Sequence, residues 1–99
     1  MDQDRLKKLR LRAWRRGFRE ADLILGPFAD RRLADLSGEE LDAFERLLDA
    51  PDKDVFEWIV DRTPVPAEHD TAVMAEIKRF VAQGRATIAG VTAYEKRED

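Results

Sequence analysis

Apolar residues recur along this chain at steps of three and four, and nowhere does a sustained apolar–polar alternation mark a half-buried strand. That periodicity predicts an all-α protein, a small single-domain bundle of about five short helices. The first helix is predicted over about Asp4 to Trp14, with Leu6, Leu9 and Ala13 inward, the bases outward, and Trp14 open between core and surface. It ends near Arg15-Arg16, whose charges suit the negative end of a helix dipole. A second helix is predicted from Phe18, with Gly17 as N-cap and Glu20 at the third helical position, where its carboxylate reaches back to a free backbone N–H. Ala21, Ile24, Leu25 and Phe28 form its apolar face, continued by Leu33 and Leu36. Gly26-Pro27 interrupts that face, and a proline inside a helix costs ~3 kcal/mol, so local propensity alone ends the helix there.

Ser37-Gly38-Glu39-Glu40 is a capping box and opens a third helix that buries Leu41, Phe44, Leu47 and Leu48. Ala50-Pro51-Asp52 closes it and caps a fourth, in which Val55, Phe56, Trp58 and Ile59 pack inward until Thr63-Pro64-Val65-Pro66 enforces extended backbone. A fifth runs from Ala67 or Glu68 to Gln83 with Val73, Met74, Ile77, Phe80 and Val81 buried, and Gly84 ends it. Residues 85–99 follow neither period. The expected organisation is therefore a helical domain over 1–84 and an irregular or mobile tail over 85–99.

Charge adds a polarity that the net value of −3 hides. Residues 1–19 carry a balance of +6, residues 20–57 one of −8, and the remainder −1. Two consequences stay open at this point: a dipolar molecule that orients a partner during encounter, or a surface whose charges pair internally. Ninety-nine residues suffice for one modest core. Cysteine is absent, which removes thiol nucleophiles, disulfides and thiolate metal sites and suits a reducing compartment. No apolar run approaches the ~20 residues of a membrane span, and the expected location is cytoplasmic.

The chemistry-bearing residues are sparse. His69, the single histidine, sits between Glu68 and Asp70 and reads as an exposed residue in a solvated first turn. The acids Glu39, Glu40, Asp42, Glu45 and Asp49 lack metal-site spacing and read as a hydrated face, and the five glycines never cluster into a phosphate loop. The expectation is a protein that is not an enzyme, with no catalytic residue and no metal.

What stands out is Arg16-Gly17-Phe18-Arg19-Glu20, where a glycine permits close backbone approach between two charges that, on helical geometry, share a face. With Asp22, Pro27, Phe28, Asp54 and Trp58 at their spacings, this segment resembles the SdhE family of FAD assembly factors of succinate dehydrogenase, whose mark is Arg-Gly-x-x-Glu. The resemblance runs from about Leu6 to about Phe80. Two positions depart from the family pattern: Phe18 stands where methionine is more usual, and Ala21 where leucine is. The resemblance implies that the second helix kinks at Pro27 and resumes. It also implies a chaperone that binds the flavoprotein subunit of succinate dehydrogenase, or that of fumarate reductase, and promotes its covalent FAD attachment. The FAD would belong to the partner and none to this chain. The partner-binding residues expected are Arg16, Gly17, Phe18, Arg19, Glu20, Asp22, Phe28 and Trp14, on a protein monomeric when free. A reading from a different class is a small nucleic-acid-binding module using the basic first helix, against which the acidic middle of the chain argues.

Overall fold

The structure, a computed structural model, describes residues 3–14 and 17–84; the expectation for the 85–99 tail lies outside the described residues. Five α-helices follow in order: α1 over Gln3–Trp14, α2 over Arg19–Arg32, α3 over Gly38–Leu48, α4 over Asp52–Ile59 and α5 over Ala72–Ala82. Single 3-10 turns lie over Leu33–Asp35 and Ala67–His69, and among the described residues there is no strand. The all-helical expectation holds.

Helix α2 is the central element, packing against α1, α4 and α5, while α3 lies across α1 and α5. Its interior is built from Ala21, Ile24, Leu25, Phe28 and Ala29, all at the period read from the sequence. At the centre of the core, Phe28 meets the edge of Phe80 at a centroid distance of 5.5 Å and lies 5.8 Å from Phe44. These contacts explain why α2 continues through Pro27 rather than ending there. Both Gly26 and Pro27 are buried, and the burial of residues on either side of the proline offsets its lost hydrogen bond.

The helix ends follow local chemistry where a side chain can cap. Ser37 Oγ accepts from the Glu40 N–H at 3.1 Å while Glu40 Oε1 accepts from the Ser37 N–H at 2.9 Å, completing the expected capping box of α3. Helix α5 begins later than its sequence suggested. Ala67–His69 form a separate turn, Asp70 leaves the helical region at ψ 74°, and Thr71 is the true N-cap, accepting from the Met74 N–H at 3.2 Å. Asp61, at φ 63°, reverses the chain after α4, letting the Arg62 N–H donate back to the Glu57 carbonyl at 2.8 Å. Gly84, at φ 72°, follows α5, and its N–H donates to the Val81 carbonyl at 2.9 Å. Among the described residues, no helix is long and apolar enough to cross a membrane.

Candidate partner-binding site

The site lies where the chain passes from α1 into α2. Gly17 has φ 93°, a left-handed conformation that strains any residue with a Cβ, and open space surrounds the position a Cβ would occupy. Phe18 is extended at φ −122°, ψ 103°, and serves as N-cap of α2 without a side-chain bond; its carbonyl accepts from the Asp22 N–H at 3.0 Å. One expectation is corrected by this geometry, and a second loses its helical premise. Gly17 lies one residue outside the cap, so Glu20 occupies the second helical position and makes no capping box with it. Because Gly17 and Phe18 are not helical, four-residue helical spacing does not place Arg16 and Glu20 on one face. Arg16 itself lies outside the described residues. Gly17, Arg19 and Glu20 are all exposed, in or beside the first turn of α2, where carboxylates complement the helix dipole.

Trp14, the last residue of α1, closes over α2. A Cβ built on Gly26 would fall inside the indole, 2.7 Å from Cε3 and nearer still to Cδ2 and Cε2. The ring therefore rests on bare backbone. Its Nε1 donates to Asp30 Oδ2 at 3.1 Å, one turn further along the same helix, and the residue keeps 39% of its surface exposed. Gly26 is thus a seat for an indole, a role its reading as a helix interruption did not include. Asp30 was not among the expected site residues either, since neither period nor motif links it to a residue sixteen positions earlier.

Comparison with known proteins decides the family. The model of a family described as flavinator of succinate dehydrogenase matches residues 7–81. The chain belongs to that family. Among individual relatives, it is 43% identical over 65 residues to the mitochondrial succinate dehydrogenase assembly factor 2 of Mycosarcoma maydis, covering 66% of this chain and 27% of that protein. The corresponding protein of Dictyostelium discoideum is 40% identical over 68 residues, covering 69% of this chain and 48% of the relative. The FAD assembly factor SdhE of Acetobacter pasteurianus is 32% identical over 81 residues, covering 82% and 72%. The chain thus spans less than half the length of these two mitochondrial relatives.

The remaining family-pattern residues divide between surface and support. Phe18 is half-buried, its ring edge-on to Phe56 at 5.8 Å, with the Arg62 guanidinium 5.6 Å from the Phe56 centroid. It fastens the turn to α4 as well as bordering it. Phe28, expected to frame a contact, is 0% exposed and belongs to the aromatic core, so it acts on the site only by holding α2 in place. Asp22 is partly buried and engaged in an interaction of its own. Trp58 packs partly buried against the core, and His69 lies against it with ring centroids 5.2 Å apart. The His69 side chain is only 11% exposed, which corrects its reading as a solvated residue: the Ala67–His69 turn folds it onto the indole.

The charge polarity is partly spent inside the molecule. Arg5 donates to Asp42 at 2.7 Å and Glu45 at 2.9 Å, and Arg12 to Asp49 at 2.7 Å, joining the basic α1 to the acidic α3. The hydrogen bond to Asp42, then that to Glu45, hold the Arg5 guanidinium above its already high ordinary pKa. Lys7 and Lys8, on the same helix, remain exposed.

Proposed function

We propose that this protein is an assembly factor for succinate dehydrogenase that binds the enzyme's flavoprotein subunit and promotes covalent attachment of FAD to it. The observation that carries this reading is family membership over residues 7–81 together with the exposure of Gly17, Arg19 and Glu20 at the α1–α2 turn. The flavoprotein of fumarate reductase is proposed as a second partner, and the free protein as a monomer. FAD is the partner's group, and this chain is proposed to supply no acid, base or nucleophile. Its contribution is orientation: holding the partner's domains so that the accepting side chain and the flavin meet lowers the entropic part of the barrier.

In this reading Gly17 admits the partner's backbone, because a surface without a Cβ allows the closest approach. Arg16 supplies a forked donor to carbonyl or carboxylate oxygens, and Glu20 an acceptor. Arg19, Phe18, Asp22 and Trp14 complete the contact or its support. A nucleic-acid role draws less support, since Arg5 and Arg12 are already committed to α3 carboxylates.

Gly17→Arg tests the assignment. The variant is expected to keep its helical circular dichroism, since the position lies outside the helices with nothing within 4 Å and the strain of a Cβ at φ 93° falls on the turn alone, yet to lose binding to the apo-flavoprotein and the flavin fluorescence of the captured subunit in denaturing gels. Binding unchanged from wild type would overturn it. Glu20→Ala separates recognition from dipole effects: loss of partner binding with a helicity change too small to measure supports the contact role.

A further inference from the structure

Among the described residues, two large hydrophobic side chains are exposed, Leu11 at 55% and Trp14 at 39%. They are three apart on α1, hence neighbours on one face of the helix, and Lys7 and Lys8 lie one turn earlier on the same side. The ridge ends with α1 at Trp14, three residues before Gly17 in the sequence. An exposed tryptophan left to itself would sample several rotamers, but this one is held from below. Gly26 gives the indole a flat seat, and Asp30 fixes its N–H. The indole covers Gly26, while Ala13, Leu9 and Leu6 close the inner face of α1 against the bundle. The outer part of the indole is thereby presented in one orientation.

We infer that the Leu11–Trp14 ridge, seated on Gly26 and Asp30 and flanked by Lys7 and Lys8, extends the partner contact beyond the Gly17 turn and docks in an apolar hollow bordered by carboxylates on the flavoprotein subunit. This inference rests on the proposed function for the identity of the partner. The partner's chemistry follows from charge complementarity: Arg5 and Arg12 are tied to α3, while Lys7 and Lys8 stand out from α1 beside the apolar pair. Held aromatic side chains are the usual anchors of protein interfaces, since they bury large area with little rotamer entropy left to lose. Gly26 becomes a positioning residue that acts through Trp14 without touching the partner.

The test is binding of the full chain to the purified apo-flavoprotein subunit of succinate dehydrogenase by titration calorimetry and surface-based kinetics. Trp14→Ala is expected to weaken the affinity roughly tenfold or more, as loss of an interface anchor does. Because that variant also removes a packed ring, Leu11→Ser is measured beside it. Its side chain is mostly in solvent, so a several-fold weakening at unchanged thermal midpoint isolates the surface role. The double replacement Lys7→Glu with Lys8→Glu is expected to slow association several-fold at low ionic strength and to converge on wild type at high salt. If Gly17→Arg abolishes binding while Leu11→Ser, Trp14→Ala and the lysine replacements bind as wild type, the ridge is not part of the interface and only this inference falls. If the wild-type chain itself fails to bind the apo-flavoprotein, the proposed function falls and the inference with it.

Discussion

Replacing Gly26 by alanine probes the contact between Trp14 and α2 directly. In a solvated helix the change stabilises by about 0.5–1 kcal/mol, because glycine has the greater backbone entropy to lose. Here two terms oppose it. Position 26 precedes Pro27, and a Cβ before proline crowds the proline ring in the helical conformation. The same Cβ also intrudes on the Trp14 indole, which must swing outward. A fully buried tryptophan removes ~150–250 Å² from water; Trp14, 39% exposed, holds about 60% of that, and about half of its share re-exposed at ~25 cal/mol/Å² costs about 1–2 kcal/mol. Loss of the bond to Asp30 adds about 1 kcal/mol, and relaxation of the ring onto neighbouring surface returns part of the total. A double-mutant cycle with Trp14→Ala separates the terms, since helix propensity and the proline effect are the same in both backgrounds and cancel. The expected coupling between positions 14 and 26 is about 1–2 kcal/mol, read from urea denaturation followed by far-ultraviolet circular dichroism. In a domain of this size each 1 kcal/mol moves the thermal midpoint by about 4–8 °C, so calorimetry provides a second reading. Coupling below ~0.5 kcal/mol, the scatter of independent sites, would show that the indole does not rest on Gly26 and would refute the reasoning.

Phe28→Ala, at the contact of α2 with α3 and α5, is expected to cost about 3–5 kcal/mol in denaturant midpoint, enough to leave a domain of this size marginally folded. Ser37→Ala should remove about 1 kcal/mol, and combining it with Glu40→Ala should cost less than the two single changes added together, because both hydrogen bonds belong to one capping box. At Gly17, asparagine is expected to be tolerated better than valine in thermal melts: the space is open to both, but only asparagine readily accepts a positive φ.

Much of the bundle could be read from local pattern. Apart from Ala43, the buried residues of α3 and α5 are those their three- and four-residue spacing selects, and the capping box at Ser37 placed its helix start to the residue. The left-handed glycine after α5 was likewise legible, because a helix C-terminus has few other ways to satisfy its last carbonyls. At the candidate site the motif drew attention to the α1–α2 turn, while the helical geometry expected across it does not hold. Spacing of four suggested a shared helical face for Arg16 and Glu20, but Gly17 and Phe18 leave the helix. Phe28 was legible as apolar, yet the same residue type serves core and interface, and only the packing of Phe44 and Phe80 around it distinguishes the two.

Sequence by itself determined which residues are apolar at helical spacing, where polar side chains cap, and that a glycine sits beside charges before α2, since each depends on neighbours within a few residues. Tertiary structure decided that α2 passes through Pro27, that His69 covers Trp58, and that Gly26 bears the indole of Trp14. Those outcomes depend on surfaces contributed by distant parts of the chain, whose combined burial outweighs a proline's local cost and gives a missing side chain its purpose.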